Sequence, residues 1–197
     1  AFTAGSTVTF WYAGQDPNYA AEPFGVYVIA NGTTSDELGH FTASNTYQQG
    51  SVDISAYAGQ TVQVAFRHYG VTDMFRLNLD LVEVSGGGST PNTPVPPTQN
   101  PNTPEPGTTT GWGFETDPFA EGWTIRDDDG DGYNWEWMDA SASDYNVYEG
   151  THCMASASYQ NSAFGGGTAL NPDNWLISPA FTAGSTVTFW YAGQDPN

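Results

Sequence analysis

The first 18 residues of the chain, AFTAGSTVTFWYAGQDPN, return unchanged as residues 180–197, so the 197-residue sequence repeats with a period of 179. An identity of that length does not arise by chance. It predicts a tandem array of near-identical units, of which this chain holds one unit and an overlap. Any fold must therefore accommodate a segment that is present twice, and the first expected partner is another copy of the same repeat, met head to tail. With a linker inside the period, roughly 150 residues remain for one domain with a single core.

The linker is residues 85–110, SGGGSTPNTPVPPTQNPNTPEPGTTT, where PNTP occurs at 91 and again at 101. Gly86 to Gly88 predict a flexible joint, and the Pro-rich remainder a semi-rigid polyproline II spacer whose threonines are candidate O-glycosylation sites. Three parts follow. Residues 1–84 read as the C-terminal part of one sandwich, 85–110 as the linker, and 111–197 as the N-terminal part of the next. A natural domain then runs from Gly111 through Asn197 and continues through Tyr19 to Val84, so the chain is a circularly permuted unit cut mid-domain. Its two halves can close on each other, or complement a neighbouring molecule and propagate a filament.

Everything regular in those halves has period two. Val187, Phe189 and Tyr191 alternate with Thr188 and Trp190, as do their counterparts Val8, Phe10 and Tyr12, while FGVYVIA (24–30), TVQVAFRHY (61–69) and FRLNLDLVEV (75–84) are β-branched or aromatic throughout. Helical periodicity is missing. Short strands parted by turns such as Asn31-Gly32 predict an all-β, antiparallel sandwich or jelly roll.

The charge balance restricts the partners. Twenty-two acidic residues face only three arginines, Arg67, Arg76 and Arg126, and the net charge is −19. Nucleic acid and anionic membrane need a basic surface and are excluded as expected partners, whereas divalent cations suit crowded carboxylates. There is no apolar run of the ~18 residues that a membrane helix requires, and one cysteine, Cys153, forms no intrachain disulfide. The polar, lysine-free composition favours a secreted or surface protein.

Asp127, Asp129 and Asp131, followed by Gly132, form a D-x-D-x-D-G run with Asp128 inside it, a spacing that turns alternate carboxylates toward one cation. Calcium is the expected guest, since zinc would call for a Cys/His cluster. It is not an EF-hand, because the twelfth position is Met138. Asp16, repeated as Asp195, and Glu22 flank a turn and read as turn chemistry or a third cation site. Tyr133, Trp135 and Trp137 alternate, which predicts one aromatic face for stacking on a ligand, with Tyr145 and Tyr148 nearby, or else a core face. His40, His68 and His152 read as structural histidines and Cys153 as a buried small hydrophobe. No nucleophile elbow, HExxH, P-loop or dinucleotide fingerprint occurs, so no catalytic residue is assigned.

The motifs GFETDPFAEGWTIRDDDGDGYNW (113–135), HCMASASY (152–159), ALNPDNWLISP (169–179), TVTFWYAGQDPNYAAEPFGVYV (7–28) and DISAYAGQTVQVAFRHYGVTDMFRLNLDLVEV (53–84) resemble the cleaved-adhesin domains of gingipain and haemagglutinin-type bacterial surface proteins. The resemblance implies a jelly-roll β-sandwich with bound calcium, adhesion to a host or matrix glycan or protein, and no catalysis. It also implies a structural calcium position at Glu115 and Asp80, on the first and last strands of the natural domain, with Asp117 as a further ligand. One departure stands out: the family's Leu-Asp-Asp pattern reads Leu79, Asp80, Leu81 here. A carbohydrate-binding module of a secreted polysaccharide-degrading enzyme is the alternative reading.

Overall fold

A computed structural model of the chain describes residues 12–14, 18–85, 110–141, 147–162, 165–183 and 186–194. Asp16, Asp195, Tyr145, residues 1–11 of the first repeat copy and linker residues 86–109 lie outside the described residues. The strands, in chain order, are β1 (Tyr12–Gly14), β2 (Pro23–Ala30), β3 (Thr33–Thr34), β4 (Gly39–Thr42), β5 (Gln48–Asp53), β6 (Thr61–Tyr69), β7 (Arg76–Ser85) and β8 (Thr110–Trp112). After residues 86–109 and β8 come β9 (Thr124–Asp127), β10 (Glu136–Asp139), β11 (His152–Ala157), β12 (Tyr159–Asn161), β13 (Gly167–Ala169), β14 (Asp173–Ile177), β15 (Phe181–Thr182) and β16 (Thr186–Gln194). A single 3-10 turn, Ser55–Tyr57, is the one helical element among the described residues.

These strands form two seven-stranded sheets and a small β12-β13 hairpin. One sheet runs β1-β16-β7-β11-β10, with β5 also on β16 and β8 also on β7; the other runs β3-β2-β6-β14-β9, with β15 on β6 and β4 on β2. Period-two alternation decides which side chains face the space between them. Phe24, Val26 and Val28 of β2, Val64 and Phe66 of β6, and Leu176 of β14 meet Leu77 and Leu79 of β7, Met154 of β11, and Phe189 and Tyr191 of β16 in one core. Phe66 and Tyr191 pack edge-on against Phe189 and Phe24, the orientation that ring quadrupoles favour. The all-β expectation is met by these two sheets, in which every pairing but one is antiparallel.

That one exception concerns the repeat. β16, from the second copy, sits inside its sheet between β7 and β5, whereas β1, from the first copy, lies parallel to it with Tyr12, Ala13 and Gly14 opposite Tyr191, Ala192 and Gly193. The two copies are thus inequivalent in one chain. The halves on either side of residues 86–109 pack together: β7 of the first pairs with β16, β11 and β8 of the second, and β6 pairs with β14.

The second edge of β7 changes partner midway, from β11 at Arg76–Leu79 to β8 at Val82–Val84. At the changeover Leu81 adopts φ 43, in the left-handed region that side chains avoid, and the Asp80 carboxylate accepts the Leu81 N–H at 2.7 Å. β16 is irregular opposite the same point, between Thr188 and Trp190. The kink opens a gap in the sheet beside Asp80.

Candidate functional site

The Asp127–Tyr133 turn follows β9, whose last residue Asp127 lies opposite Asn174 of β14. Asp127 accepts the N–H of Gly130 at 2.7 Å and of Gly132 at 3.1 Å, and both glycines have positive φ, so the turn curls around that carboxylate. Asp131 accepts the Tyr133 N–H at 2.8 Å. Asp127, Asp129 and Asp131 each present a carboxylate oxygen within 4.8 Å of the others, which among the described residues is the only such group of three acids, cysteines or histidines. Their protonation is set apart by this crowding. The Gly130 N–H and the hydrogen bond from Asp129 hold Asp127 below its ordinary range, while burial, Asp127 and Asp131 push Asp129 up. Three hard carboxylate oxygens this close together in a glycine-formed curl could hold a metal ion.

Asp80 and Glu115 meet around one turn. Asp80 is fully buried in the β7 gap and accepts the N–H groups of Tyr148 (2.9 Å) and Glu149 (3.1 Å). Glu115 accepts those of Thr151 (3.0 Å) and His152 (2.9 Å). The turn can pass because residue 150 is glycine with φ 69; a Cβ there would collide with the Glu115 carboxylate. Burial raises Asp80 to about 7, against three backbone N–H groups that lower it, and the Glu115 charge adds to the rise. Burial also pushes Glu115 up, but the His152 and Thr151 N–H groups outweigh it and leave the carboxyl below its usual value. Asp80 and Glu115 thus hold the two ends of one turn through its backbone N–H groups. Asp117 is engaged elsewhere: it accepts the Phe119 N–H at 2.9 Å within its own Asp-Pro turn.

The three alternating aromatics separate. Trp135 is 1% exposed, belongs to the core and donates its Nε1–H to the Asn174 carbonyl at 3.1 Å. Trp137 is partly buried, donates to the Phe114 carbonyl at 2.7 Å and stacks on His152. Only Tyr133 presents an open ring, at 40% exposed, and its N–H is held in the acidic turn by Asp131.

Two further clusters carry no signature in the sequence. Glu22 and His68, both fully buried, bond at 3.0 Å; His68 Nδ1 meets Ser156 Oγ at 2.9 Å, and Ser158 Oγ donates to Glu22 at 2.8 Å. His68 is therefore a satisfied structural histidine, and Glu22 belongs to this buried network rather than to a turn at the surface. On the outer face of β6 and β14, the guanidinium groups of Arg67 and Arg126 lie over the Trp175 ring at 5.1 and 4.3 Å, while each pairs through both nitrogens with Asp173 or Asp128. Among the described residues, no helix is long and apolar enough to cross a membrane, which leaves strand-built spans unaddressed.

The chain matches the model of the Cleaved Adhesin Domain over residues 2–46, 37–84 and 108–197. It is 33% identical to Lys-gingipain and to Gingipain R1 of Porphyromonas gingivalis over 97% of its own length, and 32% identical to Hemagglutinin A over the same share. It spans 11% of either gingipain and 7% of Hemagglutinin A. No solved structure matches. With both halves matched on either side of the linker, the chain belongs to the cleaved adhesin domain family.

Proposed function

We infer that this chain is a calcium-stabilised adhesin repeat of jelly-roll type, displayed in tandem copies on a secreted bacterial surface protein and acting by adhesion rather than catalysis. Its gingipain and haemagglutinin relatives are secreted, cell-surface-associated proteins. The observation that carries the calcium reading is the convergence of Asp127, Asp129 and Asp131 within 4.8 Å. The Asp80–Glu115 turn supports a second ion, at the junction of β7 with the segment following β8. Calcium there would tie the end of one half to the start of the other. Such an ion, bound only by the folded state, stabilises by about 4 kcal/mol at a thousandfold excess over its dissociation constant. Weak contacts per repeat become strong when many copies are displayed.

The tandem reading has support from the contact between the two halves. Gly193 lies so close to Ala20 that a Cβ on it would stand 2.5 Å from the Ala20 carbonyl oxygen, so β16 ends beside the start of the other half. In an array, the residues after Gly193 would run straight into Tyr19 and Ala20. Strand donation between molecules is supported by β1, a second copy of the β16 sequence matched to it residue for residue.

Calorimetry with calcium and then with chelator tests the metal reading; an unchanged melting temperature removes it. Binding to immobilised host matrix proteins and to a glycan array tests adhesion. Glycan binding lost in Tyr133→Ala favours the carbohydrate-binding alternative, for which the open Tyr133 ring beside the acidic turn is the supporting feature.

A further inference from the structure

β7 is the last strand before residues 86–109 and β8 the first after them, and the two are antiparallel neighbours: Val82 faces Trp112, Glu83 faces Gly111 and Val84 faces Thr110. Neighbours of this kind hold paired Cα atoms about 4.5–5.5 Å apart, a gap that a two-residue turn can close. Between them the sequence runs through all of residues 86–109. That is far more chain than closing the gap needs, and it suits reaching another sandwich.

The opposite end of β7 is Arg76, flanked by Ala157 of β11 and Gln194 of β16. The His68–Ser156 bond ties this end to the end of the second sheet where Tyr69 faces Asp173 and Asn174 faces Asp127. The acidic turn Asp127–Tyr133 leaves from there. Ten residues of β7 separate the two ends by roughly 30 Å.

We propose that each sandwich of the array hangs from a single pole: both linkers leave at Ser85 and Thr110, and the Asp127–Tyr133 turn faces away from the cord they form. This rests on the tandem reading above. Sandwiches then add little to the length of the cord and stand off its side, with the acidic turn outermost. Pulling on the cord loads β7 and β8 from the same end, which opens their pairs one at a time.

A cross-link tests the shared pole. Glu83→Cys with Gly111→Cys puts thiols across a strand pair in which a Cβ at Gly111 lies 3.4 Å from the Glu83 side chain, within disulfide reach, while the native Cys153 is buried. A protease site is placed at Val95. After mild oxidation and cleavage of the full chain, nearly all of it is expected to run as one species until reductant is added. Folded, cleaved protein whose pieces separate without reductant would overturn the proposal. Should that double variant misfold, spin labels at Ser85→Cys and Thr110→Cys give the same reading: a separation below about 20 Å supports a shared pole, and one near the roughly 30 Å length of β7 overturns it. Electron microscopy of the native protein separates this from the tandem reading. One sandwich per chain with a positive cross-link removes the array and keeps the pole, a row of beads along one side supports both, and beads joined end to end overturn the hanging arrangement.

Discussion

At the scale of single residues, Asp80 carries the sharpest consequence. Its carboxyl is raised by burial to about 7, so between the ordinary carboxylate value and 7 the folded state holds a proton that the unfolded chain has lost. Stability therefore falls as pH rises through that window, and is level above it, where both states are ionised. Asp129, also raised, adds in the same direction. Glu37, Glu115 and Asp173 are held below their usual values, and their contribution is lost only as pH falls further. In chelator, the protein is expected to melt several degrees higher at pH 5 than at pH 8. Under the calcium reading the ranking is expected to reverse, because a cation held by ionised carboxylates stabilises more at pH 8. Scanning calorimetry at both pH values, with and without calcium, reads all four conditions, and a calcium effect that shrinks from pH 5 to pH 8 contradicts the assignment. Asp129→Asn makes a second case. Removing one of three crowded charges is expected to leave the chelated protein no less stable while weakening calcium binding roughly tenfold or more, about 1.4 kcal/mol or above, by isothermal titration.

At the scale of elements, alternation made the strands legible. Leu77 and Leu79 point into the core and Asn78 and Asp80 point away, as a period of two requires. What alternation does not carry is the second burial of Asn78 and Asp80 on the outward face. There the Tyr47 hydroxyl reaches Asn78 and Cys153, and Tyr148 stacks on Trp190 with centroids 3.7 Å apart. Those partners come from segments far away in sequence, so no local pattern announces them. Tyr133 and Trp135 show the opposite failure. The pattern Tyr-x-Trp-x-Trp reads as one face, but β10 begins only at Glu136, and the turn ahead of it sends Tyr133 outward and Trp135 inward. The acidic turn was legible because three aspartates and two glycines are local. The Glu22–His68–Ser156 network was not, for it joins both halves across the core. Its test is His68→Ala, which leaves Glu22 buried without its nitrogen partner. A loss of about 3–5 kcal/mol in urea unfolding is expected, and less than 1 kcal/mol would mean that the network relaxes around the gap.

At the scale of the molecule, the duplicated segment is expected to make one sandwich tolerant of losing either copy. β16 contributes Val187, Phe189, Trp190 and Tyr191, all buried, to the sheet beside β7. At about 1.5–3 kcal/mol for each large side chain, their combined burial is of order 10 kcal/mol, comparable to the whole stability of a domain. Emptying that position should therefore unfold the protein. Yet residues 1–18 carry the same side chains, with Phe2 for Phe181, Val8 for Val187, Phe10 for Phe189 and Tyr12 for Tyr191. Their last residue leads directly to Tyr19 and Ala20, the latter being where Gly193 now lies. Deleting residues 1–17 is expected to shift the melting temperature by no more than about 2 °C, since β16 already fills the place beside β7 and, among the described residues of the first copy, only the three of β1 pair with the sheet. Deleting residues 180–197 lets the first copy take the vacated place, and a cooperative transition with near-native far-ultraviolet dichroism should persist. Removing both copies should abolish the transition. If the chain lacking residues 180–197 is unfolded while the one lacking 1–17 is intact, the two copies are not interchangeable, and a sandwich whose central strand runs straight into Tyr19 is the wrong description of the repeat.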